Sequence, residues 1–213
     1  MTRYDITIAM GAGTPEWPGD TPFSCGWSWD MAAGASVNVG KVTTSLHVGT
    51  HADAPLHVKR DGAPSESLPL DAFSGSALLL DCRDAVDGAT LTTEWLEEAL
   101  AGHRMPVRLL LRTGHTVAGG TFPGGWPALT PAAATWLVRG GLRLLGVDAP
   151  SVDPKTATDL AVHHALFDGG AYLVENLQLA QVPLGEYHLT AYPMLVAGAD
   201  AAPVRAVLEP LPR

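Results

Sequence analysis

Three leucine-rich runs of strand length, at residues 76–81, 107–112 and 142–147, constrain the fold of this chain more than any other feature. Each is continuously apolar rather than alternating, the pattern of a strand covered on both faces, as in a parallel sheet. The stretches between them read as helices. Residues 92–100 open with Thr92 as N-cap and carry acidic residues in the first turn, where the helix dipole favours them. Residues 130–139 place Thr130 as N-cap and Pro131 at the first helical position, with Gly140-Gly141 beyond the end. The order β-α-β-α-β predicts an α/β domain with a central sheet flanked by helices.

The flanks differ from this centre. The first seventy residues are rich in Gly, Pro, Trp and Thr, with extended pieces at 37–39 and 41–44, and the last forty offer strands at 186–190 and 204–208. No repeat, low-complexity tract or linker divides the chain. A single domain over 1–213, its mixed sheet extended at both ends, is the expectation.

Charged residues make up only 16% of the chain against 46% apolar, which excludes disorder driven by charge and polarity. A net charge of −9 leaves no basic footprint for nucleic acid or an anionic membrane surface. Cys25 and Cys82 fit no C-x-x-C motif and read as buried small hydrophobes. The N-terminus leads into only a short apolar stretch, and no run of about 18 apolar residues occurs, so a soluble, cytoplasmic protein is expected.

Eight histidines in 213 residues would place fewer than one in a window of eleven, yet His47, His51 and His57 share such a window with Asp53. A helix would aim Asp53 away from His47 and His51, and Gly49 with Pro55 argues against one. In an extended segment alternate residues face the same way, and all four positions are odd. Imidazole and carboxylate are ligands for Zn²⁺, Mn²⁺ or Fe²⁺, and two histidines with one carboxylate leave positions open for water and substrate. A second cluster, His163-His164 followed by Glu175, sets a carboxylate in an apolar strand-like run, where a buried charge requires a partner.

The segment from His47 to His57 fits the signature H-x-G-T-H-x-D-x-P-x-H. On it the chain resembles the metal-dependent cyclase-like hydrolases, their bacterial kynurenine formamidase (arylformamidase) branch in particular. Trp17-Pro18-Gly19-Asp20, Asp148-Ala149-Pro150-Ser151-Val152-Asp153-Pro154, Glu175-Asn176-Leu177 and Asp200-Ala201-Ala202-Pro203-Val204-Arg205-Ala206 extend the resemblance nearly end to end. It departs at Ala191-Tyr192-Pro193 and Leu184-Gly185.

The resemblance implies a cyclase-like (swivelling β/β/α) architecture and two divalent ions per chain, zinc first, with Mn²⁺ or Fe²⁺ as alternatives. It implies His47, His51 and Asp53 as metal ligands, Asp53 being shared between the ions, with Glu175 as a second bridging carboxylate. His163, in preference to His164, matches the imidazole of the second ion. His57 matches the acid/base residue and Trp17 a substrate-contacting aromatic. The implied protein is a homodimer that hydrolyses N-formyl-L-kynurenine to L-kynurenine and formate. The alternatives are a hydrolase of another aryl or cyclic amide such as isatin, and a biosynthetic cyclase of the same superfamily. A metal-containing binding protein without turnover is the reading from another class, and the presence of His57 beside all five matched ligands opposes it.

Other catalytic classes lack their motifs. No G-x-S-x-G elbow occurs, since Gly34-Ala35-Ser36 is followed by Val37-Asn38. There is no G-x-x-x-x-G-K-[ST] loop, and Gly11-Ala12-Gly13 lacks the third glycine of a dinucleotide fingerprint.

Overall fold

A computed structural model describes residues 2–84 and 90–211. The N-terminal part supplies β1 (Tyr4–Asp5), β2 (Ser24–Trp29), β3 (Val39–Thr43) and β4 (His51–Asp53). The centre supplies β5 (Ser74–Asp81), β6 (Thr90–Leu91), α1 (Thr93–Ala99), β7 (Arg108–Arg112), β8 (Ala128–Leu129), α2 (Pro131–Arg139) and β9 (Leu144–Val147). After these come α3 (Ala161–Asp168), β10 (Tyr172–Glu175), β11 (Gly185–Thr190), β12 (Ala201–Pro203) and β13 (Val207–Pro210).

Nine strands form one mixed sheet in the order β1-β13-β11-β5-β7-β9-β10-β4-β12. The three leucine-rich runs become the adjacent parallel strands β5, β7 and β9, with β10 parallel beside them. Strands from both ends of the chain continue the sheet antiparallel, as β11, β13 and β1 on one side and β4 and β12 on the other. The sheet curls: a bridge between Thr7 and Leu177 brings the chain after β1 back to the chain after β10.

The buried runs are apolar on both faces because each face has its own core. Leu109 and Leu111 of β7 join Leu96, Leu137 and Leu166 from the three helices. Leu110, between them, points the other way to Phe73, Leu79, Leu144 and Val174. Both expected helices start at the expected caps: the Thr92 hydroxyl accepts from the Trp95 N–H at 3.3 Å and the Thr130 hydroxyl from the Ala133 N–H at 3.0 Å.

Three expectations need correction. The strand expected at 204–208 begins only at Val207, as β13, because the Ala206 N–H donates to the Thr7 hydroxyl at 2.9 Å and its carbonyl accepts from the Ile6 N–H, which separates it from β12 at 201–203. The extended piece at 37–39 reaches strand conformation only at Val39. Cys82 is buried as expected, but Cys25 is exposed. Its strand, β2, pairs with β3 in a separate two-stranded ribbon whose residues are nearly all exposed, Trp27, Trp29 and Val42 among them. Among the described residues no helix is long and apolar enough to cross a membrane.

Candidate metal centre

His51 and Asp53 lie on β4, between β10 and β12, with His51 opposite Glu175 and Asp53 opposite Leu173. Strand alternation separates their tasks. Ala52 and Ala54 enter the apolar core, and the odd residues face the other way, both 1% exposed. The shared parity of the four positions accounts only for this pair. His47 reaches the site from the turn before Gly49, and His57 from a 3₁₀ turn at Pro55–His57. Gly49 has φ +71°, a left-handed conformation that favours glycine, and a Cβ there would lie 2.8 Å from the Met10 Cγ. Its carbonyl accepts from His51 Nδ1 at 2.9 Å.

The carboxylates divide the imidazoles into two sets. Asp53 Oδ1 lies 3.1 Å from His47 Nδ1 and 3.2 Å from His51 Nε2, while Asp53 Oδ2 lies 3.2 Å from His163 Nε2. Glu175 repeats the division, with Oε2 at 3.6 Å from His51 Nε2 and Oε1 at 3.5 Å from His163 Nε2. His163 is buried within this cluster, and His164 makes none of these contacts.

Each of the three imidazoles directs its second nitrogen at an acceptor, the arrangement that fixes a ring for ligation. His51 uses the Gly49 carbonyl, His47 Nε2 faces Asp200 Oδ2 at 3.0 Å, and His163 Nδ1 faces Asp153 Oδ2 at 2.6 Å. Asp153 also accepts from the Val162 and His163 N–H groups, so one carboxylate caps α3 and orients the histidine it carries. The inward atoms His51 Nε2 and Asp53 Oδ1 are buried without a hydrogen-bond partner, as expected of a donor set that awaits a cation. His51, Asp53 and Glu175 form one group of potential ligand atoms within 4.8 Å of one another, and His47, Asp53 and His57 a second.

Asp153 and Asp200 carry no role in the sequence reading. Both lie in segments that extend the family resemblance, and the only local signal is an acid ten residues before His163.

Burial and the mutual fields of these groups set their acid–base balance. Burial alone would lower His47 and His163. Hydrogen bonds and the charges of Asp200 and Asp53 around the first, and of Asp153, Asp53 and Glu175 around the second, outweigh it and push both up to about 10. Burial, reinforced by the Asp53 charge, raises Glu175 to about 7. Burial would also raise Asp53, but the surrounding histidines hold it well below the usual carboxylate range.

A pH prediction follows from these shifts. His47 and His163 titrate near 10 when folded, against 6.5 for an unperturbed imidazole. Their contribution to stability in the metal-free protein is therefore fully present below pH 6.5 and lost as pH rises through about 10. A divalent ion must displace these protons, so its affinity rises across the same interval and its uptake near neutral pH releases protons. Calorimetric zinc titrations in buffers of different ionisation enthalpy should give different heats. Equal heats would contradict the displacement.

A cavity of about 550 Å³ opens onto this cluster, lined by His47, His51, His57, His163 and Glu175 on one side and by Trp17, Pro18 and Phe122 on another. Trp17 is 39% exposed and stands edge-on to Phe122 at 5.3 Å and to Trp126 at 6.1 Å, which gives the wall an aromatic lining. Tyr192, at one of the departures from the resemblance, lines a different, smaller hollow.

The curled mixed sheet and the histidine–carboxylate cluster at its β4–β10 seam define the fold of a metal-dependent hydrolase. The chain belongs to the Cyclase family, which it matches over residues 4–154. It is similar, at 26% identity over 99% of both chains and with a TM-score of 0.81, to a structure described as a potential metal-dependent hydrolase with cyclase activity. A predicted metal-dependent hydrolase from Bacillus stearothermophilus gives 26% identity over 97% of each chain and the same TM-score of 0.81. Isatin hydrolase A from Ralstonia solanacearum shares the fold at 21% identity and a TM-score of 0.81, over 97% of this chain and 91% of that one.

Proposed function

We propose that this protein is an arylformamidase, hydrolysing N-formyl-L-kynurenine to L-kynurenine and formate. The observation that carries the reading is the division of the Asp53 and Glu175 oxygens between two imidazole sets, at the floor of a cavity with an aromatic wall. That division would suit two divalent ions, zinc first, held by His47, His51, His163, Asp53 and Glu175. Such ions supply Lewis-acid polarisation of a carbonyl oxygen and lower the pKa of water.

The chain's own residues do the rest. Trp17 offers a ring face to the aryl group of the substrate, at small entropic cost because its side chain has few rotatable bonds. His57 lines the cavity with Nδ1 at 3.5 Å from Asp200 Oδ2, which leaves its other nitrogen for proton transfer. Burial, opposed by the Asp53 charge, lowers its pKa and keeps a lone pair available at neutral pH. In this role His57 takes a proton from the attacking water and delivers it to the anilide nitrogen as the C–N bond breaks. A second copy of the chain is the proposed partner, and the exposed apolar ribbon β2–β3 is the surface that supports it.

The test is to follow hydrolysis of N-formyl-L-kynurenine and of isatin by absorbance, with metal content and mass in solution measured on the same sample. Turnover of the formamide that chelation abolishes and Zn²⁺ restores, at about two ions per chain, is the expected result. Turnover of isatin alone would move the function to cyclic amides.

A further inference from the structure

The turn Trp17-Pro18-Gly19-Asp20 gives the cavity wall two functional side chains, and the proposed reaction uses only the first. The Asp20 N–H donates to the Trp17 carbonyl at 2.9 Å. Pro18 and Gly19, the latter at φ +93°, hold the corner positions where a type II turn favours proline and glycine. Such a turn brings its end residues to within about 7 Å, so an indole and a carboxylate share one short stretch of wall. Both residues line the cavity, and both are exposed. Of the carboxylate oxygens, Oδ1 accepts from the Thr21 N–H at 2.6 Å, and Oδ2 has no partner among the described residues.

The charge around this carboxylate is one-sided. His47, His51, His57, His163 and Glu175 belong to the cluster at the cavity floor, which leaves Asp20 as the one charged side chain lining the cavity elsewhere among the described residues. No described lysine or arginine lines it. Lys155, which meets the aromatic wall, is already engaged: its Nζ donates to the Pro123 carbonyl at 3.0 Å and lies 5.2 Å from the centre of the Phe122 ring. Away from the floor a ligand anion therefore finds no side-chain cation, whereas a ligand cation finds an open carboxylate oxygen. The net charge of −9 favours the approach of the cation as well.

We propose that Asp20 Oδ2 pairs with a primary ammonium at the end of the ligand remote from the amide to be cleaved, while Trp17 receives the aryl ring, so that the cavity prefers aryl-alkylamines to uncharged ligands of the same shape. The inference rests on the reading of the site as an arylformamidase and adds a specificity-determining residue to it. N-formyl-L-kynurenine has the required layout, with a formanilide at one end and an ammonium on a short chain from the aryl ketone at the other. Its ammonium, and not the carboxylate beside it, is the group this wall recognises.

Asp20→Asn tests this, because it removes the charge and keeps an oxygen for the Thr21 N–H. The ligands are kynuramine and ortho-aminobutyrophenone, aryl ketones of the same shape that differ in an ammonium replaced by a methyl group. Neither contains a formamide, so binding is read without turnover. Their dissociation constants are measured by calorimetry, at low and at raised salt, on zinc-loaded wild-type and variant protein, with metal content and melting temperature recorded for both. The expected result is a wild-type preference for kynuramine that shrinks as salt rises and falls about fivefold in the variant, with ion content unchanged. An unchanged preference in the variant or equal weakening of both ligands would overturn the proposal. So would a wild-type preference that is absent or indifferent to salt, a result that needs no variant. Turnover of N-formyl-L-kynurenine is followed separately. If the formamide is cleaved and the preference ignores Asp20, the proposal fails and the arylformamidase reading stands; if no formamide is cleaved and the preference depends on Asp20, that reading fails and the ammonium contact stands.

Discussion

Replacing Asp53 with alanine is expected to empty the candidate metal centre and to reduce turnover about 10⁴-fold or more, the scale on which a member of an interdependent catalytic set fails. Its two oxygens reach three imidazoles at 3.1 to 3.2 Å, so its removal takes an anionic ligand from both halves of the cluster at once. It also withdraws the charge that helps hold protons on His47 and His163, leaving buried neutral rings with less reason to converge. Asp53→Asn keeps the shape and one acceptor, and should retain some metal at much lower affinity. Metal analysis beside circular dichroism checks both variants. A folded Asp53→Ala protein with the wild-type ion content would remove this residue from the ligand set.

His57→Ala should behave in the opposite way, keeping its ions while turnover falls by about 10²–10⁴. The deficit should depend on the leaving group. A formanilide with a strongly electron-withdrawing ring needs less help from a proton donor, so its rate should suffer least. His57 also lies in one potential ligand group with His47 and Asp53, which makes its ion content decisive. If the variant loses metal in step with activity, His57 is a ligand and the proton-transfer role assigned to it is wrong.

The centre of the fold was legible because its signals are local. Thr92 and Thr130 cap the helices they precede, and the leucine runs of β5, β7 and β9 require cover on two faces. Helix α3 gave no such sign. Leu160 caps nothing with its side chain and sits at φ +46°, and the cap is Asp153, nine and ten residues upstream of the N–H groups it receives. The division between β12 and β13 was hidden for the same reason, since it depends on residues 6 and 7 at the other end of the chain. In the candidate site, residue types and spacing identified the histidine–carboxylate cluster, while strand parity was correct only for His51 and Asp53. Asp200 and Asp153 act through contacts that join separate segments, which no window of sequence displays.

The placement of β4 between β10 and β12 also bears on how the protein matures. Asp53 meets His163 across 110 positions of sequence, and His47 meets Asp200 across 153. Closing loops of that length is slow and comes after local structure has formed. A nascent chain that has emerged only as far as α2 carries His47, His51, Asp53 and His57 with nothing opposite them. The ligand set comes together only when α3 and β10 have joined β4, so ion capture would mark a late step of folding, and a metal-responsive signal timed against refolding would report when β4 has paired with β10.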